Sequence, residues 1–143
     1  MYFEDLKVGM SVETDKVVIT KEQMLAFAKE YDPLPLHTDE TFAKSTRYKN
    51  LIAPGIMSFM AVWAKYAEVD FIGHELVGGK TSKFEWFKPV FEEDVLVGNV
   101  TISSLTIKND YNGIVELTIK IYNQHNELVM VNVMEVVVKR RTI

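Results

Sequence analysis

The stretch "APGIMSFMAVWAKYAEV", residues 53–69, decides the fold. Ile56, Met57, Phe59, Met60, Ala61, Val62, Trp63, Ala64 and Ala67 leave it almost no polar face. A helix apolar nearly all round has to be buried, and this one falls short of the ~20 residues that cross a bilayer. Other parts of the chain must wrap around it.

The second half supplies the wrapping. In "NGIVELTIKIYN" (112–123), Val115, Leu117, Ile119 and Ile121 alternate with Glu116, Thr118, Lys120 and Tyr122, the pattern of a half-buried strand. "DVLVGNVTISSLTI" (94–107) and "LVMVNVMEVVVK" (128–139) read as longer strands, separated from their neighbours by the turn-forming clusters "NDYNG" and "NQHNE". Strands joined by such tight turns are antiparallel neighbours. With "SVETDKVVIT" (11–20) and "KTSKFEWFKPV" (80–90) the expectation is an α+β fold, an antiparallel sheet of about five strands around a long buried central helix.

The bulk properties agree. At 143 residues, 48% hydrophobic and 11% aromatic, the chain fits one compact domain over 1–143. A net charge of −4 gives no general basic field for nucleic acid, and the closing "KRR" (139–141) reads as a solvated strand end. There is no cysteine, hence no disulfide framework and no thiol nucleophile. No apolar run is long enough for a membrane span and "MYFEDLKVGM" lacks the pattern of a secretory signal, so a cytoplasmic location is expected.

A helix is expected in "TKEQMLAFAKEY" (20–31), because Thr20 and Gln23 have capping-box spacing and Met24, Phe27, Ala28 and Tyr31 share one face. Pro33 disfavours helical geometry at Asp32 and should end it there. A second short helix is expected from Thr38 or Asp39, with Asp39 as its cap. Between the two lies "YDPLPLHTDE" (31–40), in which two prolines stiffen a loop that carries one of only three histidines.

Asp32, Pro35, His37, Asp39, Ile52, Ala53, Gly55, Ile56 and Met57 occur in the order of the hydratase motif. On these residues the chain resembles the MaoC-like dehydratases, or R-specific enoyl-CoA hydratases, which have the hot-dog fold. "FKPVFEED" (87–94) resembles a later Pro-Val motif of that family through Pro89, Val90 and Asp94. Two positions depart from the pattern. Leu34 stands where many members carry Asn or Gln, and Glu93 where they carry Gly.

The resemblance implies a hydro-lyase that reversibly adds water to a trans-2-enoyl-CoA and gives the (R)-3-hydroxyacyl-CoA. Adding water across a conjugated thioester needs a proton taken from water, a proton given to the α-carbon, and donors for charge developing on the thioester oxygen. Asp32 and His37 are the candidate acid–base pair. Gly55, at the start of the buried helix, is the candidate oxyanion donor, because helix N–H groups are unsatisfied there and no side chain obstructs approach. Each has a plainer reading: a turn-forming acid, a hydrogen-bonded structural histidine, a glycine at a helix start.

No cofactor is expected beyond coenzyme A as part of the substrate, which could equally be an acyl-carrier-protein thioester. A metal site at Asp32, His37 and Asp39 is not expected, since they offer only one nitrogen ligand. His74 and His125 read as solvated, Ser58 as a helix-packing residue, and Lys80, Lys83 and Lys88 as solvent-facing, with coenzyme A phosphates as an alternative role. A hot-dog thioesterase and a non-catalytic acyl-thioester-binding subunit remain alternatives; the first is opposed by the absence of an acid in the central helix before Glu68. Finally, an uncovered sheet edge and the two apolar faces of 128–139 point to a homodimer, with further association open.

Overall fold

The structure is a computed structural model that describes residues 1–141. Helix α1 spans Lys21–Tyr31, capped by Thr20 and Gln23 in the expected reciprocal arrangement. Two short helices follow, α2 (Pro35–Thr38) and α3 (Glu40–Ser45), and then the central helix α4 (Gly55–Glu68). The strands are β1 (Ser11–Glu13), β2 (Val17–Val18), β3 (Leu76–Trp86), β4 (Val95–Ile107), β5 (Asn112–Tyr122) and β6 (Leu128–Lys139). They form one antiparallel sheet in the order β1-β4-β5-β6-β3, with β2 paired to the start of β4.

The sheet curls around α4, as expected from the alternation. Val100, Leu117, Ile119, Ile121, Met130 and Val136 face inward and are buried. Met57, Phe59, Val62 and Tyr66 of α4 meet them, and each such side chain contributes roughly 1.5–3 kcal/mol of transfer free energy. The close approach depends on Gly98, where a Cβ would lie 2.6 Å from Val62 Cγ1. A larger residue at that point of β4 would push the helix off the sheet.

Three expectations are refined. The stretch 11–20 is two short strands, not one: Thr14 turns inward, is 4% exposed, and its hydroxyl accepts the Gly98 N–H at 2.9 Å while donating to the Asp15 carbonyl. Within one chain α4 is buried on one side only, leaving Ile56 (43%), Met60 (47%) and the small side chains of Ala64 and Ala67 uncovered. The strand expected from Lys80 begins at Leu76 and ends at Trp86, before Pro89 could interrupt it.

β6 lies inside the sheet between β5 and β3. Its inner face, including Asn132 and Val136, is buried, while Val131, Val133 and Val137 on the other face are only half-buried. The sheet's edges are β1 and β3; among the described residues β3 pairs only with β6, and it is exposed along most of its length.

Candidate active site

The site begins where α1 stops. The Asp32 N–H still donates to Ala28 O at 2.9 Å, but Asp32 has φ −152°, outside helical geometry, as Pro33 requires. Two residues later the chain turns again into α2, where Pro35 occupies the first helical position at no cost in lost donors. That single turn, which sequence reasoning read as a loop, aims His37 inward until it is 6% exposed. The prolines thus set the two ends of one rigid corner.

His37 is held on both sides. Its Nδ1 lies 2.7 Å from the carbonyl oxygen of Ile52, which can only accept, so Nδ1 carries the proton of that bond. Its Nε2 then faces Asp32 Oδ2 at 3.3 Å. Asp32 itself is 40% exposed at the side chain, so one carboxylate reaches solvent-accessible space beside a buried imidazole.

Both groups line a cavity of about 470 Å³ that Gly55 also borders. Pro54, the residue preceding α4, caps it with no side-chain hydrogen bond, and the first helical carbonyl, that of Pro54, is taken by Ser58. The first N–H groups of α4 therefore have no capping side chain to accept from them. The three residues singled out from sequence as catalytic candidates, Asp32, His37 and Gly55, converge on one cavity.

One part of the sequence reasoning about Gly55 is corrected. The volume its missing side chain leaves is not open to a ligand: a Cβ there would lie 2.5 Å from Trp86 Cε2, and nearer still to Nε1. The indole of Trp86 occupies it.

The remaining candidates separate. Asp39 caps α3, its Oδ1 accepting the Phe42 N–H at 3.0 Å, and does not line the cavity. Among the described residues no group of three or more His, Cys, Asp or Glu is placed to hold a metal. His74 and His125 are exposed. Ser58 is fully buried and directs its hydroxyl to Pro54 O. Leu34 is 51% exposed and stands outside the cavity, so the departure at that position does not remove a wall of the site. Glu93 adopts φ +67° in the turn before β4, the backbone conformation that the family's glycine would take without strain.

Of the lysines only Lys88 borders the cavity, and it bonds Glu127 at 2.6 Å. That hydrogen bond, with a second from Asn123, holds the Glu127 carboxyl below the usual carboxylate range. Sequence reasoning missed Arg47, Tyr48 and Trp86, which also line the cavity. Arg47 Nη2 donates to the Tyr48 hydroxyl at 3.0 Å and has no carboxylate partner among the described residues. The available signals were an arginine-tyrosine pair just upstream of "IAPG" and the aromatic run "FEWF" just upstream of the Pro-Val motif.

The comparisons with known proteins bear on this geometry. The family model for the FAS1-like dehydratase domain region matches residues 7–132. The chain is 27% identical over 141 residues to the uncharacterized protein YdeM of Bacillus subtilis (strain 168), covering 98% of this chain and 100% of that one. It is 35% identical over 57 residues to an (R)-specific enoyl-CoA hydratase of Rhodospirillum rubrum, a match spanning 40% of each chain. The crystal structure of a MaoC-like dehydratase from Rhodospirillum rubrum superimposes with a TM-score of 0.89 at 26% identity, covering 100% of this chain and 99% of that one. A hot-dog fold with this motif order, matched by the family model over most of its length, belongs to the FAS1-like dehydratase region family of MaoC-like dehydratases.

Proposed function

We propose that the protein is an enoyl-thioester hydratase/dehydratase that adds water reversibly to a trans-2-enoyl-CoA. The observation that carries the reading is the 3.3 Å approach of Asp32 Oδ2 to His37 Nε2 in the cavity that receives the N-terminus of α4. With Nδ1 committed to Ile52 O, the unprotonated Nε2 and the carboxylate are both acceptors. A water on the cavity side of both, within hydrogen-bond distance of each, donates one hydrogen to each and turns its lone pair toward the β-carbon. As the C–O bond forms, one proton of the water passes to this pair, and the same pair then returns it to the α-carbon. H and OH are thereby added across the double bond, and the pair ends in its starting protonation state. The charge that gathers on the thioester oxygen meets the N–H end of α4. The (R) configuration of the product rests on the family and on the R-specific relative alone.

No acid on α4 faces this cavity, and Glu68 lies exposed at the far end of the helix, which weighs against a thioesterase. Incubation with a panel of acyl-CoA and enoyl-CoA thioesters tests the assignment. Loss of enoyl absorbance without release of free thiol is the expected result. Thiol release would make the protein a thioesterase, and tight binding with no turnover at any chain length would make it a binding subunit.

The same reading includes a two-fold homodimer. Ile56 and Met60 of α4 are exposed, and so is most of the edge strand β3, where Val77 is 51% exposed. A second copy pairing along β3 would cover both, because an unpaired strand edge and an apolar helix stripe call for the same partner.

A further inference from the structure

Trp86 lines this cavity beside Gly55, and its chemistry remains unassigned. It ends β3, where its ring stacks on Phe84 at 5.3 Å and 6° between planes. Phe84 in turn meets Phe59 of α4 edge-on at 5.0 Å. This ladder of three rings runs from helix to sheet edge and fixes the indole against Gly55, in the volume a side chain at that position would have filled. The ring atoms nearest that volume are Nε1 and Cε2. Among the described residues that indole N–H has no hydrogen-bond acceptor, and Trp86 is 46% exposed and lines the cavity.

A rigid N–H donor without a partner, beside the first turn of a helix whose own N–H groups lack a capping side chain, is an arrangement that suits a carbonyl oxygen gaining negative charge. An indole nitrogen donates only, so no acceptor role competes. Taking the hydratase reading of the site as given, we propose that Trp86 is a catalytic residue whose Nε1–H donates, together with the Gly55 N–H, to the thioester oxygen of the substrate. It also accounts for the glycine: any side chain at position 55 would displace the second donor.

Two measurements test this, one of them on the unaltered chain. Trp86→Phe keeps the ring on Phe84 and deletes only the N–H and part of the bicycle. It should lower kcat for crotonyl-CoA hydration about tenfold or more with little change in KM, less than the ~10²–10³ lost with a fully desolvated oxyanion donor. The chain has 2 tryptophans, so its indole N–H region in an ¹⁵N-correlated spectrum holds two signals, and the variant identifies that of Trp86 by its loss. Saturation of the wild type with butyryl-CoA, a saturated thioester that cannot react, should move that signal downfield. Wild-type kcat in Trp86→Phe, or an indole signal that stays in place on saturation, overturns the proposal and leaves Trp86 as a packing residue. A wild type that does not hydrate crotonyl-CoA at all overturns the hydratase reading and this inference with it. Should Trp86→Phe fail to fold, Trp63→Phe assigns the remaining signal to Trp86, and the response of that signal in the wild type decides alone.

Discussion

The imidazole of His37 is braced by the Ile52 carbonyl at 2.7 Å, a bond from helix α2 to the segment that leads into α4. The bond has a structural and a chemical part, and substitution separates them. His37→Ala removes the base and leaves a carbonyl in a buried setting without its partner, a loss of about 1–3 kcal/mol. His37→Asn can place an amide N–H where Nδ1 was. It should recover most of the melting temperature lost by His37→Ala and none of the activity. Thermal unfolding and crotonyl-CoA kinetics on the pair of variants check this, and equal stability of the two would show that the brace contributes nothing.

Asp32 is the exposed partner of the pair, so its replacement should spare the fold. Asp32→Asn is nearly isosteric and its amide N–H can donate to His37 Nε2, but it no longer accepts a proton. Hydration should fall by about 10²–10⁴ at unchanged thermal stability. Steady-state kinetics on the folded variant measure it.

Gly55→Ala places a methyl group against the Trp86 ring. Overpacking of this kind costs about 1–3 kcal/mol. If that contact is the cause, shortening Trp86 to Ala should relieve much of the penalty, and denaturant unfolding of the double-mutant cycle should show strong non-additivity. Additive losses would mean that the glycine is required for some other reason.

Glu93 holds a left-handed conformation that costs a side-chain-bearing residue about 1–2 kcal/mol. Its N–H donates to Ile19 O at 2.7 Å, which glycine would preserve. Allowing for the greater freedom of glycine in the unfolded chain, Glu93→Gly should stabilise by about 0.5–1 kcal/mol, a rise of roughly 2–4 °C in Tm. Activity should not change, because residue 93 is outside the cavity. Calorimetry decides the sign.

Mass-resolved chromatography at micromolar concentration should give a species of about twice the 16.4 kDa chain mass. Met60→Lys, on the uncovered stripe of α4, should shift it toward the single chain. A fully active wild-type species at 16.4 kDa would show that the cavity needs no second copy.

What the sequence made legible follows the range of the forces involved. The Thr20–Gln23 cap, the alternation of β5 and the stop at Pro33 are each set by neighbours within a few positions, and all three stand in the structure. Asp32, His37 and Gly55 could be placed in one cavity because their order matched a motif, not because local chemistry demanded it. The missed features are contacts between distant segments. Thr14 breaks the first strand by reaching the Gly98 amide, and Trp86 meets Gly55 only once β3 lies beside α4. The one-turn helix α2 escaped notice because Pro35 at its first position and Pro33 just before it read locally as loop.

The bond from His37 to Ile52 O has a companion: the Ile52 N–H donates to Leu36 O at 3.3 Å. Adjacent residues thus clasp one residue at two points, and everything between them, α3 and the segment carrying Arg47 and Tyr48, hangs outside that clasp as a closed loop. Ala43 of α3 is 1% exposed in the core, so the inner part of that loop is tied down, whereas Arg47 and Tyr48 stand on the rim of the cavity. On the hydratase reading, a change of acyl selectivity begins at those two rim residues, while the two-point clasp and the corner made by the two prolines stay as they are.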